Sequence, residues 1–233
     1  MANPEQLDIL KAGVESWNKW RQEHPDIKID LTKATLNKTN LIGVNLNEAN
    51  LVESNLNGAN LIGANFIEAR LVGAKFKKAN LSNANLYGAN LSNANLHGAD
   101  LRGSHLREVN FSEANLSEVN LSESNLSGAN LRKADLHLAN LSSADLHLSD
   151  FNSANLVDVK LSGANIGGTA FGNINFSQTH GLETVRYRSP SIIGADTLQL
   201  SKGKIPEAFL RGCGLSDILI ETQKLFNPDL SNE

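Results

Sequence analysis

The reactive side chains in this chain are six histidines, a single cysteine, Cys213, and a large population of Ser, Asp and Glu. Three or four convergent His, Cys or carboxylate donors would hold a metal ion. A Ser or Cys nucleophile beside a histidine, with oxyanion donors across a cleft, would transfer an acyl group. Such residues are frequent in so repetitive a text that their mere presence carries no triad. No Walker, dinucleotide or HExxH pattern occurs. Cys213, between Gly212 and Gly214, reads as a buried structural thiol. Whether the histidines converge depends on the elements that carry them.

Those elements are written in an uninterrupted period of five. Residues 79–101 read ANLSNANLYGANLSNANLHGADL. From Leu31 to Phe176 there are 30 successive centres, of which 23 are Leu, six are Phe and one is Ile166. The residue two places earlier is small or β-branched, and is Ala in 18 units. The residue between is Asn 19 times and Asp five times. The two places after each centre hold mostly Ser, Asn, Gly, Glu or Lys.

A helix wants apolar residues near a 3.6 period and a long strand wants sustained alternation. Here the in–out–in alternation lasts three residues and then breaks for two polar ones. Each unit is therefore predicted to be a short extended side followed by a corner, with Asn or Asp suited to the turn and able to bond neighbouring amides. A side of about 10 Å matches the spacing of packed sheets. Four such sides leave room for inward Leu and Phe, so four units make one coil. Thirty units then make about 7.5 coils, a rod roughly 35 Å long at strand spacing.

The A-(D/N)-L-x-x text resembles the pentapeptide-repeat family over about residues 29–178. That resemblance implies a right-handed quadrilateral parallel β-helix with four pentapeptides per coil. Arg70, Lys75, His105, Lys160 and Ala170 depart from the Asn/Asp place, and the stretch NIGGTAFGNINF is degenerate. The predicted fold is an all-β solenoid of this kind at 29–178, with an N-terminal helical cap at 1–28 and an irregular, partly helical segment at 179–233.

This geometry scatters the histidines. His97 and His137 share a face two coils apart, roughly 10 Å. His137 and His147 point to opposite sides, and His105 is assigned to a third face. No convergent donor set is expected, so the reading is that metal sites, cofactors and catalytic residues are all absent and the protein is not an enzyme.

Charge narrows the choice of partner. The chain carries a net −4, and the array alone, residues 31–180, holds 12 Asp/Glu against 11 Lys/Arg. No basic field invites nucleic acid. Some quinolone-resistance members of the resembled family act as DNA mimics on a topoisomerase. That implied alternative needs concentrated negative charge, and Lys75, Lys77 and Lys78 sit together at one corner instead.

A solenoid must cap its ends. Asn3, Pro4 and Gln6 read as the start of one helix, with Gln6 as a capping-box partner. Leu7, Leu10, Val14 and Trp17 lie on its inner face, Trp20 extends that face, and His24-Pro25 ends it. Near the other end, short helices are predicted from Pro206 to about Arg211 and after Ser216. The stretch GKIPEAFLRGCG resembles segments that follow such arrays in bacterial multidomain signalling proteins. No secretory signal or run of apolar residues long enough to span a membrane is visible, so a cytoplasmic protein is expected.

Outward apolar residues concentrate in the first coils. Ile42 and Ile62 should stack one period apart, Val52 and Val72 should stack on the opposite side, and Ile67 should stand alone. They are either covered by the N-terminal segment or form a partner-binding patch. The functional expectation is a rigid, non-catalytic scaffold for an unidentified protein partner, in a setting of bacterial signalling or regulation. Nucleic acid and membrane are not expected partners.

Overall fold

The computed structural model describes residues 1–227. Parallel bridges join each side to the side four units later, as in Asp30–Asn50, Asn80–Asp100 and Asn120–Asn140. A corner falls within every unit, so four sides close each coil. Wall one begins with Asp30-Leu31, wall two with Thr35-Leu36, wall three with Asn40-Leu41 and wall four with Asn45-Leu46.

The backbone ladder explains the regularity. Asn50 donates its N–H to the Ile29 carbonyl at 2.9 Å, while Leu31 and Lys33 donate to the carbonyls of Asn50 and Val52 at 2.8 and 2.9 Å. The corner closes locally, with the Ala34 N–H on the Leu31 carbonyl at 3.0 Å. The left-handed conformation falls on the second corner residue, such as Lys133 (φ 56°) or Gly128 (φ 71°), and not on the Asn. The Asn instead lies in the extended side and ties the corner from there: Asn80 Oδ1 accepts from the Ser82 N–H at 3.0 Å. Amide ladders also run along walls, with Asn120 Nδ2 donating to Asp100 Oδ1 at 3.2 Å and Asn140 Nδ2 to Asn120 Oδ1 at 3.5 Å.

The centres point inward on every wall; Leu81, Leu101 and Leu121 are one above another and fully buried. Burying one such side chain stabilises by about 1.5–3 kcal/mol, and the small residue beside it leaves room for the next corner. Phe66 and Phe76 meet edge to face at 6.2 Å.

The N-terminal cap is two helices, not the single helix expected. α1 (Pro4–Ala12) and α2 (Val14–Glu23) are separated by Gly13 at φ 131°, ψ 159°, a conformation that side chains disfavour. The break lets α1 serve wall one and α2 serve wall four. Asn3 caps α1 by accepting from the Gln6 N–H at 3.2 Å. Gln6 does not complete a capping box. Its side chain accepts from the Asp30 N–H at 2.8 Å and donates to the Lys28 carbonyl at 3.0 Å. Asn18 does the same on wall four, accepting from the Asn45 N–H at 2.8 Å and donating to the Gly43 carbonyl at 2.9 Å. Two side-chain amide oxygens thus take the place of the backbone acceptors of a preceding coil.

At the other end, parallel pairing runs on to Ile193. β1 (Asn165–Ile166) pairs with β3 (Arg186–Tyr187), and β2 (Ala170–Phe171) with β4 (Ile192–Ile193). Asn165 faces Arg186 and Ala170 faces Ile192, a wider step along the chain than in the regular coils, because the intervening corners are longer. The lid consists of α3 (Ala195–Leu200), α4 (Glu207–Gly212) and α5 (Asp217–Lys224), the last two at the places expected. Phe209 of α4 closes the axis against Phe171 and Phe176, with ring centres 6.3 and 5.4 Å away. Hydroxyls satisfy the last coil: the Thr197 side chain accepts from the Ile174 N–H at 3.1 Å, and the Ser201 side chain from the Phe176 N–H at 3.0 Å. Of the segment expected at 179–233, the stretch 228–233 lies outside the described residues.

Candidate interaction surface

The histidines are placed by the ladder. His97 and His137 follow Asn95 and Asp135 on wall two, and His97 Nδ1 lies 2.9 Å from the Ser117 hydroxyl in the coil between. His147 follows Asp145 on wall four. His105 lies on wall four as well, and not on the third face expected, because Asn85, His105, Asn125 and Asp145 form one ladder. Among the described residues, no group of three or more His, Cys, Asp or Glu is disposed to hold a metal ion. No helix among them is long and apolar enough to cross a membrane.

Cys213 is buried, and burial pushes its thiol up to about 12. A thiol raised this far is almost wholly protonated at neutral pH and is a poor nucleophile. Iodoacetamide at pH 8 is therefore expected to leave native protein unlabelled and to label it once unfolded, as mass spectrometry would show; rapid native labelling would contradict the burial. The linkage has a definite sign. The folded value lies above the ordinary value near 9, so Cys213 favours the folded state below about pH 9 and loses that contribution as pH rises toward 12.

The outward apolar residues of the early coils form three short columns. Ile42 and Ile62 are consecutive on wall three, where the Gly43 N–H donates to the Ile62 carbonyl at 2.9 Å. Val52 and Val72 are consecutive on wall one, linked by the Glu53 N–H to the Val72 carbonyl. Ile67 does not stand alone: Tyr87 lies one coil beyond it on wall four, linked by the Glu68 N–H to the Tyr87 carbonyl at 2.8 Å. Ile42 remains 46% exposed while Ile62, Ile67, Val52 and Val72 are half-buried. The cap helices bond to walls one and four, and to wall three only at its Gly43 corner through Asn18; Ile42 stays exposed.

Two further exposed residues escape the outward-position reading. Leu138 and Leu148 occupy second corner positions at φ 60° and 59°, and are 48% and 61% exposed. Leucine is poorly suited to that conformation. The signal in the sequence is the twice-written ADLHL, at 134–138 and 144–148.

Charged pairs follow the same columns. The expected Glu113–Lys133 pair forms across one coil, Nζ to Oε1 3.5 Å, and is exposed, so it contributes at most about 1 kcal/mol.

Bridges join every fourth unit, the leucines between them point inward, and a polar corner follows each. The pentapeptide-repeat family model matches residues 29–67, 69–107, 104–142 and 139–178 in eight copies. The chain belongs to the pentapeptide-repeat family. Its members form right-handed quadrilateral β-helices. This pentapeptide-repeat protein is similar to HetL, described as involved in heterocyst differentiation regulation, from the cyanobacterium Nostoc sp. strain PCC 7120. The two are 31% identical with a TM-score of 0.50, over 72% of this chain and 77% of HetL. A trypsin-treated form of QnrB1, a plasmid-mediated fluoroquinolone resistance protein, gives a TM-score of 0.55 at 17% identity, over 72% of this chain and 84% of that one. The second likeness is one of fold alone. No curated protein matches the pentapeptide-repeat chain.

Proposed function

We propose that this pentapeptide-repeat protein is a rigid, non-catalytic scaffold that binds a partner protein through the Ile42–Ile62 column of wall three. The observation that carries the reading is the half-exposed Ile42 stacked on Ile62, on a wall that the cap helices touch only at the Gly43 corner. Ladder bonds on all four walls hold such a column in a fixed register, so little ordering entropy is lost when a partner docks. Wall one, with Val52 and Val72, and wall four, with Ile67, extend the apolar band around the first coils. Bacterial signalling or regulation, in the cytoplasm, is the setting that suits a scaffold of this kind. The DNA-mimic alternative draws less support, because the array has nearly balanced charge and a lysine cluster on one wall.

Affinity capture from the native organism tests the proposal. Ile42→Asp with Ile62→Asp is expected to abolish recovery of the principal partner while leaving circular dichroism unchanged. Undiminished recovery would overturn the reading, and loss of the folded spectrum would place these residues in the core. The mimic reading predicts inhibition of DNA gyrase supercoiling at micromolar protein.

A further inference from the structure

The N-terminal end of the solenoid is capped on only two of its four walls. Each coil turns one N–H and two carbonyls per wall toward the coil before it, as the Asn50 N–H to Ile29 and the Asn50 and Val52 carbonyls illustrate. In the first coil, Asp30 has its N–H bonded by Gln6 and its carbonyl by the Asn3 N–H at 2.7 Å. Asn45 has its N–H bonded by Asn18 and its carbonyl by Trp17 Nε1 at 2.7 Å. Arg21 Nη2 donates to the Asn47 carbonyl at 3.3 Å. The backbone N–H and C=O of Thr35 and of Asn40, and the carbonyls of Asn37 and Ile42, meet no protein partner among the described residues. Thr35 and Asn40 are exposed. Walls two and three therefore present an open strand edge, a template for another strand.

Wall two is also basic. Lys33 and Lys38 flank its open edge, and Lys75 and Lys77 project from it two coils on. Lys38 and Lys78 belong to one corner column with Gly58 between them: a methyl group at Gly58 would touch Lys38 Cγ at 3.5 Å, and the Gly58 N–H donates to the Lys77 carbonyl at 2.9 Å. Lys33 pairs with Glu53 at 3.3 Å, whereas Lys38, Lys75, Lys77 and Lys78 pair with no carboxylate among the described residues. Beside the edge, Met1, Leu7, Lys11, Thr32 and Thr35 line a groove of about 360 Å³.

From this juxtaposition we propose that the edge of wall two takes an extended, acidic segment of a partner protein, added as one more parallel or antiparallel strand over Thr35–Lys38. Backbone bonds to Thr35 hold the strand, Lys33 and Lys38 meet its carboxylates, and the groove seats an apolar side chain. The unpaired lysines beyond strengthen the attracting field. A second copy of this chain is the wrong occupant, because Lys11, Lys33 and Lys38 would then face their own equivalents; lysines at an edge discourage such self-pairing. This inference rests on the scaffold reading only in that the occupant is a protein.

The test uses the full chain and a fluorescent eight-residue peptide of alternating Glu and Val, with a Lys–Val peptide and an eight-nucleotide oligothymidine as comparisons. The Glu–Val peptide is expected to bind, more weakly as salt rises, and to slow amide exchange at Thr35 by about tenfold or more. Lys38→Glu with Lys77→Glu should weaken binding about tenfold or more. Thr35→Pro removes an N–H that the fold does not use and should abolish binding with the folded spectrum kept. No binding of the Glu–Val peptide overturns the proposal. So does binding without protection at Thr35, or equal binding of the oligothymidine, which would make the wall a mere polyanion surface. If the peptide fails while the Ile42/Ile62 variant still loses its partner, the edge alone is refuted and the scaffold reading stands.

Discussion

Phe171→Ala is expected to lower the unfolding free energy by about 3–5 kcal/mol, the range for deleting a buried aromatic ring. Phe171 is fully buried where the solenoid meets its lid, stacked on Phe151 at 5.5 Å and edge-on to Phe176 at 5.3 Å and Phe209 at 6.3 Å. No neighbour can collapse into the space easily, because the ladder fixes the walls on all four sides. Stability in a solenoid is summed between adjacent coils, so the damage should be concentrated at this end. Denaturant titration gives the magnitude, and amide exchange should show the last coils and α4 opening first. A loss below about 1 kcal/mol would mean that the lid does not share the core.

Trp17→Ala is expected to cost a similar amount, about 3–5 kcal/mol, at the opposite end. Trp17 is fully buried, packs against Trp20 with ring centres 5.4 Å apart, and donates Nε1 to the Asn45 carbonyl at 2.7 Å. Its removal takes away both the plug over the first coil and one of the bonds that hold wall four. Trp17→Phe separates the two contributions: it keeps much of the volume and gives up the hydrogen bond, with an expected cost nearer 1–3 kcal/mol. Equal losses in both variants would mean that the indole N–H, and not the packed ring, supplies the cap.

The repeat makes most of this molecule legible. Leu81, Leu101 and Leu121 share a wall because a five-residue unit with a corner can close in four sides, and that step also places Ile42 under Ile62 and Glu113 beside Lys133. The reading fails where one residue departs from the period. Gly13 splits the cap because its backbone enters a region that the apolar pattern of α1 and α2 does not report. His105 escapes its assigned face because its extended position and the corner position of His147 belong to the same wall. Tyr87 is the companion of Ile67 one coil further along a column that the outward apolar pattern, confined to aliphatic residues, does not follow.

The coil is written in the amino-acid text: its period, its inward centres and which residues stack on each wall all follow, because every unit solves the same local burial problem against neighbours one coil away. How the ends are finished follows from long-range packing instead. Gln6, Asn18 and Trp17 reach across the chain to find backbone partners at Asp30 and Asn45, and the backbones of Thr35 and Asn40 find none among the described residues. Which edge is covered depends on where two short helices come to rest, and no local period encodes that.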